Sequence, residues 1–242
     1  MRKSTTRNGA TRKSTLRSLR RLAACVVVLA LSANAKPAYA DVFTLVVVVD
    51  GNERTDPAAR GLRMAVDESP DVSHPPGREG GDHLGGVDVD LRWIRAGRSD
   101  TMQQVQAALD SGASAVVVLS RSATPTTIST AAQTRRRLTI VGTTRPVTRN
   151  AATIVLRSVA TSRRDARATR FRTRFRTRFG SAPEAASLLG YDAGRMVDRL
   201  VADVGATLEP EAAVAAAPKL APDALVGSAI SSDPDSSMMP RR

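Results

Sequence analysis

The side chains that could bind a ligand are concentrated in three short segments, residues 50–55, 120–124 and 142–145, which read DGNERT, SRSAT and GTTR. They offer Asn, Ser and Thr groups, which both donate and accept hydrogen bonds. The segments contain no His or Cys, and the sequence has no Gly-rich phosphate loop, nucleophile elbow or zinc motif. These residue types predict binding through hydrogen bonds, not an enzyme, and no cofactor or metal ion.

Each of the three segments follows a predicted β-strand. Residues 42–49 (VFTLVVVV) and 115–119 (AVVVL) are continuous apolar runs, which are typical of strands buried on both faces of a parallel sheet. Residues 138–141 form a shorter run of the same kind. Residues 87–94 alternate between apolar and polar side chains, which predicts a strand at an edge of the sheet.

Predicted helices separate these strands, over residues 56–68, 101–109 and 125–136. The first has Asp56 as a candidate N-cap and Pro57 at the first helical position. This alternation predicts an α/β fold with a parallel, doubly wound sheet of four to five strands and helices on both faces. Because ligands bind such sheets outside the carboxyl ends of the strands, we expect the three segments to form one site.

The first 40 residues are typical of a secretory signal peptide. A basic stretch over residues 2–21 precedes twelve mostly apolar residues, 22–33, and small residues flank Tyr39 before Asp41. Twelve helical residues rise only about 18 Å, too little to cross a bilayer core that needs about 20 residues, so a membrane anchor is disfavoured. We predict export to the periplasm with cleavage after Ala40, which removes Cys25, the only cysteine.

The formal charge of +13 is concentrated in two places. Residues 1–40 hold nine Lys and Arg and no acid, and residues 157–178 hold nine Arg against one Asp. The remainder carries 18 basic and 22 acidic residues, so it is slightly acidic. A binder of nucleic acid has basic charge over a broad surface, and this distribution therefore predicts no nucleic-acid partner.

Three segments resemble those of the type I periplasmic binding proteins, in particular the branched-chain amino acid substrate-binding proteins of ABC transporters. Residues 61–68 (GLRMAVDE) look like that family's first helix. Residues 116–124 (VVVLSRSAT) and 138–144 (LTIVGTT) look like its pair of strands with Ser and Thr loops. Residues 179–183 (FGSAP) with Tyr191-Asp192-Ala193 look like its late helix.

The resemblance implies an amino acid-like ligand and an ABC transporter permease as a possible partner. The candidate ligand-binding residues are Gly51, Asn52, Ser120, Ser122, Thr124, Thr143 and Thr144. Ser120, Ser122 and Thr124 would hold a ligand carboxylate, and Thr143 and Thr144 its amino group or carboxylate. The alternative is that these hydroxyls cap helices. Only residues 160–178 stand where the family has most of its second lobe, which implies one lobe and weak binding.

Residues 169–179 read TRFRTRFRTRF, a four-residue repeat. On a helix the three Phe fall within an arc of about 80°, outside which the Arg residues lie. We therefore predict a helix over residues 163–179, with Phe171, Phe175 and Phe179 packed on the sheet and the Arg side chains in solvent. Contact with an anionic membrane or a partner protein is an alternative, and nucleic acid is another.

From residue 207 the chain turns to Ala, Pro, Ser and Asp, which predicts a mobile tail over 207–242 after a ligand-binding lobe over 41–206. Residues 69–86 are predicted to form an exposed loop, where His74 and His83 leave a metal site as a minor alternative. The function predicted is an exported solute-binding domain. The alternative is a one-lobed remnant that contacts a partner or a membrane and has no ligand of its own.

Overall fold

The structure is a computed structural model, which describes residues 42–69, 81–145, 147, 150–159 and 165–231. The predicted signal peptide and its cleavage site lie outside the described residues. So does His74.

Seven strands form one sheet, in the order β2-β3-β1-β4-β5-β6-β7. They are β1 (Phe43–Val49), β2 (His83–Leu84), β3 (Val87–Arg95), β4 (Ala115–Val118), β5 (Leu138–Thr143), β6 (Thr153–Ser158) and β7 (Ser228–Ile230). The five strands from β3 to β6 are parallel, and β2 and β7 add antiparallel edges. The α/β fold class is confirmed, with β1 and β4 central as predicted.

Six helices accompany the sheet. They are α1 (Pro57–Asp67), α2 (Thr101–Asp110), α3 (Pro125–Thr134), α4 (Ala166–Phe179), α5 (Ala185–Val204) and α6 (Pro210–Ala224). Alternate residues of β1 point to opposite faces: Leu45 and Val47 pack with α1, α5 and α6, and Val46 and Val48 pack with α2 and α3. Among the described residues, no helix is long and apolar enough to cross a membrane.

Helices α1 and α5 cross at close range because glycines stand at the crossing. A Cβ on Gly61 would lie 1.8 Å from the Ser187 carbonyl oxygen, and one on Gly190 would lie 1.9 Å from that of Ala58. No side chain fits such a gap, so the two backbones pack directly against each other. This contact holds the beginning of α5 beside the loop that joins β1 to α1.

The Arg-rich segment is helical, as predicted, from Ala166 to Phe179. Phe171 and Phe175 are buried and Phe179 is partly buried, but they pack against Met64 of α1 and Tyr191 of α5. The prediction that these rings pack on the sheet is therefore wrong. Helices α1 and α5 already cover this face of the sheet, so α4 forms a further layer outside them.

The prediction of a mobile tail from residue 207 is wrong as far as residue 231. Helix α6 buries Ala213, Ala216 and Ala217, and β7 pairs with β6. Small Ala side chains bury little area each, so composition did not reveal this packing. Residues 232–242 lie outside the described residues.

The exposed loop predicted over residues 69–86 is also wrong where the structure describes it. His83 and Leu84 form β2 and are buried. His83 Nε2 lies 3.0 Å from Asp88 Oδ1 on β3, so this imidazole holds the edge of the sheet. In the described part of the chain, no group of three or more His, Cys, Asp or Glu could hold a metal ion.

Candidate functional site

A cavity of about 240 Å³ lies at the carboxyl ends of β1, β4 and β5. The beginnings of α1 and α5 close its other side. Its polar lining consists of Asp50, Asp56, Ser120, Arg121, Thr143, Thr144 and Glu184. Its apolar lining includes Ala58, Leu119, Ala186 and Leu189. The cavity lies where the fold class places ligands.

The carboxylate of Asp50 is held at the mouth of β4. Oδ1 accepts hydrogen bonds from the Ser120 hydroxyl at 2.5 Å and the Ser122 amide at 3.1 Å, and Oδ2 accepts one from the Arg121 amide at 3.0 Å. Burial alone would raise the pKa of Asp50, but these hydrogen bonds outweigh it and lower the pKa. Asp50 is therefore a fixed negative charge in the cavity.

Asp50 accepts hydrogen bonds from two residues, Ser120 and Ser122, that the family resemblance implied would hold a ligand carboxylate. The Ser120 hydroxyl and the Ser122 amide both donate to it. The Ser120 oxygen in turn accepts from the Ser122 and Ala123 amides, each at 2.9 Å. The chain's own carboxylate thus already completes the anion-binding arrangement of this loop.

Two further carboxylates line the cavity at helix starts. Asp56 caps α1, accepting the Ala58 amide at 2.8 Å and the Gly51 amide at 2.8 Å on its two oxygens. Glu184 begins α5 in a capping box with Ser187. Against these three acids stands one lining cation, Arg121, whose side chain is 83% exposed and 3.9 Å from Asp50. An ion pair so exposed contributes little, and the cavity favours positive charge.

The loop after β5 supplies hydroxyls to the third wall. Thr143 accepts a hydrogen bond from the Arg145 amide at 2.9 Å, which turns the chain away from the sheet. Arg145 Nη1 donates to the Arg121 carbonyl oxygen at 3.1 Å and so ties this loop to the loop after β4. Gly142 leaves room for Leu119, since a Cβ there would lie 2.6 Å from its Cδ2.

The seven candidate residues take different places. Ser120, Thr143 and Thr144 line the cavity, whereas Gly51, Asn52, Ser122 and Thr124 are outside its lining. Asn52 instead organises its own loop by accepting the Arg54 amide at 3.0 Å and the Thr55 amide at 2.9 Å. Thr124 stands at the N-cap position of α3. Its side chain makes no capping hydrogen bond there, so the structure does not show the helix-capping role for Thr124.

Sequence reasoning missed Asp50, Arg121 and Glu184 as lining residues. Asp50 and Arg121 lie in segments 50–55 and 120–124, but only Gly, Asn, Ser and Thr residues of these segments were predicted to bind a ligand. Glu184 is distant in sequence and reaches the cavity only because α5 crosses α1 at Gly61 and Gly190. The small residues of GLRMAVDE and of the late helix were the available signal.

Comparison with solved structures finds two sets of coordinates for an ABC transporter substrate-binding protein from Desulfitobacterium hafniense, one in complex with Leu. The complex is 13% identical, with a TM-score of 0.48 over 74% of this chain and 89% of that chain. The branched-chain amino acid transporter substrate-binding protein LivJ from Streptococcus pneumoniae, in complex with isoleucine, is 14% identical. Its TM-score is 0.27 over 72% of this chain and 48% of that chain.

This chain is similar to ABC transporter substrate-binding proteins. They are the proteins that its sequence resembles. No family model matches the chain, and a search of curated proteins finds no match.

Proposed function

We propose that this protein is an exported, periplasmic solute-binding domain of an ABC transporter system, which binds a small amino acid-like ligand at the carboxyl ends of β1, β4 and β5. The observation that supports it most is the cavity there, which holds an ionised Asp50 fixed by three hydrogen-bond donors. A fixed charge beside an apolar wall suits a small ligand with one charged and one apolar end. The same lining offers hydrogen-bonding groups to a ligand, which favours a binding role.

The charges of the cavity favour one orientation of the ligand. Its ammonium group faces Asp50, because the Ser120 and Ser122 donors are already engaged by that carboxylate. Its apolar part lies against Leu119 and Leu189. Thr143 and Thr144 remain the predicted partners of the ligand's amino group or carboxylate. This orientation replaces the one in which Ser120, Ser122 and Thr124 hold the ligand carboxylate.

We expect weak binding by one lobe alone. Thr144 and Glu184 on the rim are exposed, so water competes for hydrogen bonds on the open side. A hydrogen bond to a charged group contributes about 1.5–3 kcal/mol, and each tenfold in affinity is about 1.4 kcal/mol. Losing two such contacts costs about 3–6 kcal/mol, which weakens a micromolar site by about 100- to 10,000-fold, towards the millimolar range. A permease or another partner that closes the cleft would restore affinity.

The test is isothermal titration of the full chain with amino acids, simple amines and simple carboxylates. Amino acids and amines should bind, and Asp50→Asn should weaken them at least tenfold, because the amide keeps the shape and removes the charge. Asp90→Asn is the matched control, since Asp90 is an exposed carboxylate on β3 outside the cavity lining. Binding of carboxylates alone, or unchanged affinity in Asp50→Asn, would contradict the proposal.

The second candidate is contact with an anionic membrane through α4. Arg170 and Arg176 are exposed on this helix, whereas Arg178 pairs with Asp67 of α1 and Arg174 with Glu68, the residue after α1. The outward charges favour an acidic lipid surface at low ionic strength. Cosedimentation of the full chain with vesicles containing phosphatidylglycerol tests it. Binding that Arg170→Glu with Arg176→Glu abolishes would support this role, and a chain that stays in the supernatant would exclude it.

A further inference from the structure

We infer that the cavity at the carboxyl ends of β1, β4 and β5 selects a small primary amine with an alkyl chain and no free carboxylate. This inference rests on the proposed function and narrows the class of its amino acid-like ligand. The amine or the amide of an amino acid should bind more tightly than the amino acid itself, because the chain's own carboxylates occupy the places where the cavity could bind an anion.

The first such place is the loop after β4. Amides at the beginning of a helix bind anions, and here three donors of the loop are bonded to the carboxylate of Asp50: the Ser120 hydroxyl and the amides of Arg121 and Ser122. The Ala123 amide donates to the Ser120 oxygen at 2.9 Å. A ligand carboxylate could reach these donors only by displacing Asp50, which would lose its three hydrogen bonds.

The beginnings of α1 and α5 are the two other places. Asp56 accepts the Ala58 amide at 2.8 Å and the Ala59 amide at 3.1 Å. Glu184 accepts the Ser187 amide in its capping box. The positive end of a helix dipole favours a negative charge, and at both helices a carboxylate of the chain supplies it. A ligand carboxylate would therefore meet like charge at each helix.

The side-chain donors that the lining still offers to an anion are weak. The Thr143 hydroxyl already donates to the Arg145 carbonyl oxygen at 3.4 Å and accepts the Arg145 amide at 2.9 Å. Thr144 is exposed, and the side chain of Arg121 is 83% exposed. Water competes for both, so their bonds do not offset the cost of taking a carboxylate out of water. An ammonium group is compensated, because Asp50 is a fixed negative charge.

The apolar wall sets the other end of the ligand. Ala58, Leu119 and Leu189 line the cavity and are buried. The cavity volume of about 240 Å³ is below the range of about 300–1,000 Å³ for pockets that hold drug-sized ligands. This space suits a short alkyl chain, which the three side chains would remove from water. Isoamylamine, which is leucine without its carboxylate, has both features.

Isothermal titration of the full chain with four compounds of the same alkyl chain tests the selection. They are leucine, leucinamide, isoamylamine and isocaproate, which is leucine without its amino group. At about pH 6, below the pKa of about 7.7–8.0 of an α-amino group, the first three carry an ammonium group. Isoamylamine and leucinamide should bind at least tenfold more tightly than leucine, and isocaproate should give no heat of binding.

The outcomes separate this selection from the proposed function. Leucine that binds as tightly as leucinamide, or more tightly, would overturn the selection and leave the proposed solute binding intact. If none of the three ammonium compounds binds, the proposed function fails and the selection fails with it.

Asp50→Ala tests the cause of the selection. The variant releases the three donors of the loop after β4, so isocaproate should now bind and isoamylamine should bind at least tenfold more weakly. Asp90→Ala removes an exposed carboxylate outside the lining and should keep the wild-type order of affinities. A folded Asp50→Ala that keeps that order would overturn the inference.

Arg121→Gln tests the guanidinium of the lining and needs no change in the buried part of the site. The variant keeps the backbone amide that donates to Asp50, so leucinamide should keep its preference over leucine. A tenfold loss of leucine binding alone would show that Arg121 holds the ligand carboxylate, and would overturn the inference.

Discussion

Changing Phe175 to Ala tests how α4 is attached. Phe175 is 2% exposed, and its ring centroid lies 5.6 Å from that of Phe171 and 4.6 Å from that of Phe179. Its cluster includes Met64 and Tyr191, so truncation leaves a cavity between α4 and the helices beneath it. Removing a buried Phe side chain costs about 3–5 kcal/mol. For a domain of 150–250 residues each kcal/mol lowers the melting temperature by about 2–4 °C, so the expected loss is about 6–20 °C.

The assay is thermal unfolding followed by circular dichroism, with Phe179→Ala as the matched control. Phe179 is partly exposed, and the guanidinium of Arg60 lies 5.7 Å from its ring centroid, so its truncation should cost less than half as much. A melting temperature that Phe175→Ala lowers by less than about 2 °C would refute the packing. Such a result would mean that α4 is a detached arm and that its rings contribute nothing to the core.

Three further substitutions test the contacts of α5. Gly190→Ala places a methyl group 1.9 Å from the Ala58 carbonyl oxygen and should lower the free energy of unfolding, measured by denaturant titration, by about 1–3 kcal/mol or more. The control Ala202→Ser, on the exposed side of α5, should change this free energy little. Burial and the hydrogen bond to Glu68 raise the pKa of Tyr191 from 10.0 to about 12. The protonated hydroxyl therefore contributes its full stabilisation of the folded state below pH 10, and this contribution is lost as the pH rises through 12. Between pH 10 and 12 the melting temperature of the wild type should fall further than that of Tyr191→Phe. Burial raises the pKa of Asp192 above 3.8, so the folded state binds the carboxyl proton of Asp192 more tightly than the unfolded state does. The free energy of unfolding should therefore fall as the pH rises from 3.8. Asp192→Asn should remove this pH dependence, and identical plots of melting temperature against pH for the wild type and the variant would contradict it.

The strands were predictable because their signals are local. The run VFTLVVVV has no polar face, and only an interior strand of a parallel sheet buries both faces. The alternation over residues 87–94 likewise showed one polar face, and β3 has only the two-residue β2 beyond it. Such patterns need no knowledge of distant residues.

The errors share a different cause, since each depended on a partner far away in sequence. The Phe stripe of α4 showed an apolar face but not what it packs on, and α1 and α5 had already covered the sheet. The Ala-rich α6 read as a tail because its burial depends on close packing of small side chains. At the site, Ser120 was taken as a free donor because nothing local showed that Asp50, 70 residues earlier, would bond to it.

Helix α5 connects the features that the sequence left separate. Glu184 lines the cavity at its start, Gly190 packs on α1, and Tyr191 donates to Glu68 at 2.7 Å beneath α4. One residue further on, Asp192 is fully buried and accepts amide hydrogen bonds at 2.8 and 2.9 Å from the turn before β7. Glu184 and Asp192 are eight residues apart, or about 12 Å along the helix. A change at Asp192 should therefore loosen β7 while the cavity keeps its charge and shape.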